Sequence, residues 1–408
     1  MPRAGQLKPV SDRRLSDLVS VGVLTGVFPP DLVDEVVDRA GRREQRVRLL
    51  PARTMAYFAV GLALDAQGSY EDVLSMITDG LAWGSGWSGD SFEVEKPPGK
   101  PAIFAARKRL GPEPVQALFE RVTRPLATQE TPGAWLAGRR LVAVDGFCLD
   151  LPDTAANDEF FGRPGTAKGE KSAFPMARVL ALGECATHAV LAARVGGYSD
   201  SEGVLLERLL GSFAPGMLVL ADRGMFSYQL WHEAMQTGAD LLWRIQTGAS
   251  APVPAFKEEL PDGSWLGWLK ARSGPGRTLE PMLVRVLDYS IDDGRDNPET
   301  YRLFTTLLDP GEAPAADLAA AYRDRWELET TFDELKTHQR GPKAILRSQS
   351  PDLVQQEIWG HLCCHYALRV LMFDAAATGG TDPDRVSFVA ALRITRQSLA
   401  GTQGGFSP

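Results

Sequence analysis

The segment Gly216-Met-Leu-Val-Leu-Ala-Asp222 is an unbroken apolar run that ends in an acid. A strand that is apolar at every position is buried on both faces, as strands are in a sheet covered by helices. An amphipathic helical pattern over residues 201–210 precedes this run. Together they predict an α/β sheet with Asp222 at the carboxyl end of a strand, where ligands of such sheets collect.

A second apolar run, Leu141-Val-Ala-Val-Asp145, also ends in an acid and is followed by Gly146. Adjacent strands that end in acids bring the two carboxylates together, and such a pair can share a hard divalent cation. For either acid taken alone, a cap on a turn or a helix is the more common interpretation. The pair is therefore informative only in combination with a third acid.

That third acid lies in residues 321–336, which predict one continuous helix. Four polar residues of this segment are spaced by 3, 4 and 7 positions: Tyr322, Arg325, Glu329 and Lys336. At about 100° per residue they fall within an arc of roughly 60° on one helix face. A surface helix with an i,i+4 ion pair is the simpler interpretation of this spacing. Asp333 is a rival carboxylate near the same arc.

These features together resemble the bacterial insertion-element transposases of the insertion-sequence-four type, which are cut-and-paste DDE enzymes. The matching pieces are VAVDG around Asp145, LVLADRGMFS around Asp222 and the spaced tetrad Y-x2-R-x3-E-x6-K. The stretches LLWRIQ at 241–246 and LRSQSPDLVQQEIWGHLCCHYALR at 346–369 also resemble that family. The resemblance implies that Asp145, Asp222 and Glu329 are catalytic and hold two Mg²⁺ ions, which Mn²⁺ can replace. It also favours Glu329 over Asp333 as the third acid.

The resemblance implies an α/β fold with a ribonuclease-H-like mixed-sheet catalytic core, an inserted β-rich domain and an N-terminal all-α domain. Asp222 and Glu329 are 329 − 222 = 107 positions apart, too far for a simple loop. The implied organisation is a helical DNA-binding domain at 1–92, linker and connecting helices at 93–137, a core at 138–239 and 317–408 with C-terminal helices, and the inserted domain at 240–316.

The same resemblance implies a DNA transposase that cleaves transposon ends and joins them to target DNA by two-metal-ion hydrolysis and transesterification, through a hairpin intermediate. Its partners would be double-stranded DNA and a second copy of the chain on paired ends. Arg325 and Lys336 would contact phosphates, and Tyr322 would donate a hydrogen bond to one. A flipped base would stack on an aromatic side chain of the insertion, and three tryptophans are candidates that could equally be core residues: Trp243, Trp265 and Trp268.

The charge balance bears on DNA binding. The 408 residues carry 52 Asp and Glu against 44 Lys and Arg, a formal net charge of −8. This argues against a chain that simply coats nucleic acid with positive charge. The basic residues are nevertheless clustered, and five are predicted to contact DNA although each cluster could equally be a solvated helix face: Arg42, Arg43, Arg46, Arg107 and Arg109.

Cysteine use and hydropathy favour a cytoplasmic protein without a membrane partner. Four cysteines in a chain of this length do not make a disulfide framework. Neither an export signal nor an apolar stretch of spanning length is expected from the pattern. The run from His361 to His365 has the composition of a zinc cluster, but its apolar surroundings favour a packed helix.

Two other functional classes remain open. A catalytically inactive, transposase-derived, sequence-specific DNA-binding protein would keep the fold without cleaving, although the intact acids argue against it. A metal-dependent hydrolase acting on RNA or a small phosphoester would share the carboxylates. That enzyme would not require the tetrad or the basic segments.

Overall fold

The computed structural model describes residues 24–46, 48–82, 98–165, 172–248, 251–271, 274–290, 300–341 and 345–400. Its contacts divide the chain into two compact units. The first unit comprises Met1–Thr123, Glu334–Thr381 and Arg385–Pro408. The second comprises Arg124–Asp333 and Asp382–Asp384. These limits differ from the predicted domains, because most of the C-terminal helices cluster with the N-terminal ones.

The described residues include a series of α-helices. They are α1 Pro30–Arg39, α2 Ala52–Leu64, α3 Tyr70–Ala82, α4 Lys100–Leu110, α5 Glu113–Val122, α6 Ala155–Phe161, α7 Glu202–Leu209, α8 Tyr228–Gln236, α9 Ala315–Arg323, α10 Trp326–Asp333, α11 Pro351–Gly379 and α12 Phe388–Ala400. A side-chain oxygen caps the first turn of α6, α7 and α8, from Thr154, Ser201 and Ser227 respectively. None of the described helices is both long enough and apolar enough to cross a membrane.

The second unit is built on a mixed sheet of ten strands. They are β1 Trp135–Leu136, β2 Arg139–Asp150, β3 Met176–Glu184, β4 Val190–Gly197, β5 Met217–Ala221, β6 Asp240–Ile245, β7 Ala255–Glu259, β8 Trp265–Leu269, β9 Met282–Ser290 and β10 Thr300–Thr305. Their order is β4-β3-β2-β5-β6-β10-β9-β8-β7, and β1 pairs with β2. The predicted α/β class is confirmed as a large mixed sheet accompanied by many helices.

Parallel pairing is confined to the middle of this sheet. β5 pairs in parallel with β2 on one side and with β6 on the other. Residues 218–221 of β5 are fully buried, as the unbroken apolar run predicts. One hydrophobic cluster joins Val144, Val219, Trp231 and Trp243. Burial of these strands fixes the position of the residues that follow the parallel pairing, which are Asp145 and Asp222.

The β-rich stretch predicted as a separate insertion extends the same sheet. β10 pairs antiparallel with β6, from Arg302 opposite Ile245 to Thr305 opposite Leu242. The pairing has a physical reason, since an open β6 edge would leave a row of backbone donors and acceptors without partners. The boundary predicted at residue 240 therefore does not mark a break between compact units.

The first unit is helical and is organised around the long helix α11. His361, Cys363, Cys364 and His365 are all buried on that helix. Burial, with the nearby charges of Arg340 and Arg396, lowers the pKa of His361 to about 3. An imidazole held neutral among apolar side chains is a packing residue, which agrees with the packed-helix interpretation of this run.

A close approach of α2 to α11 gives a sharp stability prediction. A methyl group added at Gly360 would overlap the carbonyl oxygen of Ala59, whereas one added at Gly379 would lie 3.6 Å from the Thr381 hydroxyl. We expect Gly360→Ala to lower the free energy of unfolding by about 3 kcal/mol, because backbone must move to admit it. Gly379→Ala, on the same helix, is the control. Equal urea denaturation midpoints for the two variants would contradict the close packing.

Candidate active site

Asp145 and Asp222 lie side by side in the sheet. The parallel pairing of β2 with β5 ends with Val144 opposite Ala221, so each acid directly follows the last paired residue. β2 itself continues to Asp150 and stays paired with β3. The prediction that a strand ends at Asp145 is therefore wrong for β2, because buried Phe147 and Leu149 prolong its apolar face.

The segment that carries Glu329 is not one continuous helix. α9 ends at Arg323 and α10 begins at Trp326, and the turn between them is closed by tight bonds of the i to i−3 type. A π-helical segment, Glu334–Gln339, then follows α10 and contains Lys336. The predicted continuous helix is therefore wrong, and an angle of 100° per residue does not apply across the tetrad. Lys336 belongs to the first compact unit.

A single guanidinium links the first and third acids. Arg325 donates from Nη1 to Asp145 Oδ2 at 2.8 Å and from Nη2 to Glu329 Oε1 at 3.1 Å. Only 7% of the Arg325 side chain is exposed. Burial raises the pKa of Asp145, with the charges of Glu329 and Glu202 adding to it, while the Gly146 amide and Arg325 act in the opposite direction. The helix turn thus holds a buried positive charge between two carboxylates.

The second acid is contacted by a phenol and a second guanidinium. The buried Tyr322 hydroxyl donates to Asp222 Oδ1 at 3.3 Å. Burial and the charge of Asp222 raise the pKa of Tyr322, so the phenol stays protonated at neutral pH. Arg244 lies 3.8 Å from Asp222 Oδ1 and 4.1 Å from the ring centre of Tyr301. Of the tetrad, Tyr322, Arg325 and Glu329 therefore share one site with both aspartates.

Comparisons with known proteins identify the family. Residues 136–367, which include all three acids, match the transposase DDE domain, and residues 18–120 match the N-terminal domain of insertion element 4 transposases. The chain belongs to the DDE transposases. The predicted resemblance to insertion-sequence-four-type enzymes is confirmed.

The transposase is similar along most of its length to a curated relative. It is 27% identical over 381 residues to the transposase InsG for insertion sequence element IS4 of Escherichia coli K12, covering 92% of this chain and 82% of InsG. It is 28% identical over 144 residues to the putative transposase InsZ of the same strain, covering 35% and 48%. A cryo-EM structure of the piggyBac transposase synaptic complex with hairpin DNA covers 96% of this chain and 82% of that chain, at 12% identity and a TM-score of 0.49.

The sequence pattern did not identify two residues that lie beside Asp145 and Asp222: Glu202 and Arg244. A methyl group added at Gly146 would come within 3.2 Å of the Glu202 carboxylate, and one at Gly224 within 3.4 Å. Glu202 thus lies close to the backbone that follows each aspartate. Arg244 occupies the position after Trp243, which is paired with Ala221 of β5. That register is the signal that could have placed Arg244 next to Asp222.

Packing of aromatic rings fixes α10 on the sheet of the transposase. Phe147 and Phe332 have ring centres 4.6 Å apart, and both are buried. Asp145 and Phe147 share a face of β2 because side chains of a strand alternate. The ring contact therefore anchors the helix that carries Glu329 directly beside Asp145.

The predicted DNA-contacting arginines divide into exposed and buried residues. Arg107 is fully buried and donates to the side chains of Gln356, Tyr70 and Ser348. Its predicted contact with DNA is therefore corrected to a structural role. Arg109 is exposed and donates to the Leu50 carbonyl at 2.9 Å. The other three also retain solvent exposure, although the first two form ion pairs with nearby acids: Arg42, Arg43 and Arg46.

The three candidate tryptophans also differ in exposure. Trp243 is fully buried in the core of the sheet, so its predicted stacking on a flipped base is corrected to core packing. Trp265 is partly buried, and 42% of Trp268 is exposed. The sequence pattern missed Trp326, which is 55% exposed and lies 5.5 Å from the guanidinium of Arg325.

Proposed function

We propose that this transposase cleaves the ends of its element and joins them to target DNA, with Asp145, Asp222 and Glu329 as the catalytic acids. One observation carries the proposal. Acids from β2, β5 and α10, far apart in sequence, meet around one buried guanidinium and one buried phenol. A chance surface ion pair would not gather three carboxylates at the point where the parallel pairing of β2 with β5 ends.

The donor set suits Mg²⁺, with Mn²⁺ as a substitute. Three carboxylates supply hard oxygen ligands, which these ions prefer. Two bound ions would lower the pKa of an attacking water or 3′-hydroxyl and stabilise the leaving oxygen. Side chains of the protein orient the acids. Arg325 donates to both Asp145 and Glu329, and Tyr322 donates to Asp222.

We further propose a ribonuclease-H-like core within the second unit. The order β4-β3-β2-β5-β6, with antiparallel pairs followed by parallel pairs, supports this assignment. The proposed domain roles are a helical DNA-binding region at 1–92, connecting helices at 93–137 and a core that begins near residue 138. The strands of 240–316 are proposed as an elaboration of the core sheet.

Double-stranded DNA, both transposon ends and target, is the proposed partner, bound by two copies of the chain. Lys336 would contact a phosphate flanking the cut as a point charge. Arg325 would contact another through its fork once its bonds to Asp145 and Glu329 are released, as they would be if the two acids bound metal. Four arginines that retain solvent exposure would contact the DNA backbone elsewhere: Arg42, Arg43, Arg46 and Arg109. If the reaction passes through a hairpin, the exposed Trp268 and Trp326 are the better candidates for stacking on a flipped base. The cytoplasmic setting stays a prediction.

The test uses the purified chain and a labelled duplex that carries the inverted-repeat end of its own element. We expect nicking at the end of the repeat that requires Mg²⁺ or Mn²⁺, followed by joining to a second duplex. Binding without metal-dependent nicking would instead support the inactive DNA-binding protein. Hydrolysis of RNA or nucleotides with duplex ends left intact would support the hydrolase.

A further inference from the structure

A second group of metal-ligating side chains lies in the same compact unit and shares no residue with the acids described above. His188 Nε2 is 3.2 Å from Glu327 Oε2 and 3.3 Å from Asp384 Oδ1. The three donor atoms lie within 4.8 Å of one another. They come from the β3–β4 connection, from helix α10 and from the short segment Asp382–Asp384.

The imidazole is built into the fold and directed at the two carboxylates. His188 is only 4% exposed, whereas Glu327 and Asp384 reach solvent. The turn that carries His188 is held by Glu184, which is buried and accepts hydrogen bonds from the Ala127 amide at 3.0 Å and from the Thr187 hydroxyl. A donor fixed in this way is positioned before any ligand arrives.

The surroundings of the cluster are strongly acidic. Glu327 and Asp384 line a cavity of about 200 Å³ together with Asp324, Asp382 and Cys185. No lysine or arginine is among the residues that line it. Four carboxylates line the cavity, and His188 contacts two of them. Even with a protonated His188 and with Arg323 acting on Asp324, the group keeps an excess of negative charge. A divalent cation would neutralise that excess.

The donor spacing fits a transition metal. Zinc binds imidazole nitrogen and carboxylate oxygen at about 2.0–2.2 Å, and tetrahedral ligands at that distance are about 3.4 Å apart. The two nitrogen–oxygen separations of 3.2 and 3.3 Å match that spacing. We propose that His188, Glu327 and Asp384 form a site for a divalent cation of the Zn²⁺ class, separate from the catalytic acids. Its bound ion would fix α10, which carries Glu329, to the β3–β4 turn.

The test separates this site from the catalytic one. The full chain carrying Asp145→Asn, Asp222→Asn and Glu329→Gln is stripped with chelator and titrated with Zn²⁺ by calorimetry. We expect one Zn²⁺ per chain in this background. Adding His188→Gln should weaken binding at least tenfold, because the imidazole is the nitrogen ligand.

Controls and a second variant keep the result decisive. His232→Gln, which removes an imidazole on α8, should leave Zn²⁺ affinity unchanged. Glu327→Gln should weaken binding as His188→Gln does, and it tests the site even if the His188 variant does not fold. Zinc should also raise the melting temperature of the triple variant but not of the Glu327 variant.

Absence of binding, or equal affinity with and without His188, would overturn the proposal. The proposal would also be overturned if His188→Gln lowered the melting temperature while zinc changed the melting temperature of neither protein. That result would indicate that His188 forms an ion pair only.

Discussion

Replacing Glu329 with glutamine is expected to lower the rate of end cleavage by about a thousandfold, which corresponds to about 4 kcal/mol of transition-state stabilisation. The amide has the size of the carboxylate but lacks its charge, so it is a poor ligand for a hard cation. It also loses the charge-assisted bond from Arg325, which measures 3.1 Å. The rate is measured by nicking of a labelled duplex end at saturating Mg²⁺. Binding of the same duplex should be nearly unchanged.

The matched control is Asp333→Asn. Asp333 is exposed on the same helix and was the rival third acid in the sequence pattern. We expect this variant to cleave at close to the parental rate. The assignment of Glu329 fails if Asp333→Asn abolishes cleavage while Glu329→Gln retains it. Asp145→Asn and Asp222→Asn should match the Glu329 variant, because all three acids serve one site.

The two aspartates could be found from sequence because their signal is local. Asp145 and Asp222 each end an unbroken apolar run, and burial of such a run fixes where its last residue lies in the sheet. The third acid could be assigned only through the family resemblance, because the spacing alone does not distinguish Glu329 from Asp333. The structure then shows Glu329, and not only its helix, in contact with the Arg325 guanidinium.

The course of the helix around Glu329 could not be predicted. No glycine or proline separates α9 from α10, so the sequence carries no common signal for the turn at Asp324. Contacts between residues far apart in the chain, such as Phe332 on Phe147, position α10 after this turn, and the local sequence does not reveal them. Continuous helical geometry was therefore the natural and incorrect expectation.

The burial of Arg107 and of Trp243 could not be predicted from the sequence, for a related reason. Arg107 is satisfied by Gln356, which is 249 positions away, and a cluster of basic residues gives no sign of such a partner. Trp243 packs edge-on to Trp231 with ring centres 5.3 Å apart. A periodic pattern indicates that a residue is buried or exposed only on average, whereas each of these side chains is placed by contacts with other elements of the fold.

Replacing Arg325 with lysine is expected to lower cleavage by about a hundredfold, the second large effect at this site. The guanidinium donates to Asp145 and to Glu329 from two different nitrogens. A lysine ammonium is a point charge on a flexible stem and does not reproduce that planar fork. The loss should come from misplaced acids and a weaker phosphate contact, and it should persist at saturating Mn²⁺.

The dependence of the cleavage rate on Mn²⁺ distinguishes two roles of Arg325, which are positioning the acids and contacting the DNA. If the residue only held Asp145 and Glu329 apart, saturating Mn²⁺ would draw the acids together and restore the parental rate in Arg325→Lys. A rate that stays low at every Mn²⁺ concentration indicates that the guanidinium also acts on the DNA, because an ion bound at the acids does not replace the planar donor fork of Arg325 on a flanking phosphate. Arg323→Lys, exposed on the preceding helix, controls for the exchange of one basic side chain. Parental rates in both variants would exclude Arg325 from the reaction and leave it an ion pair that shapes the site.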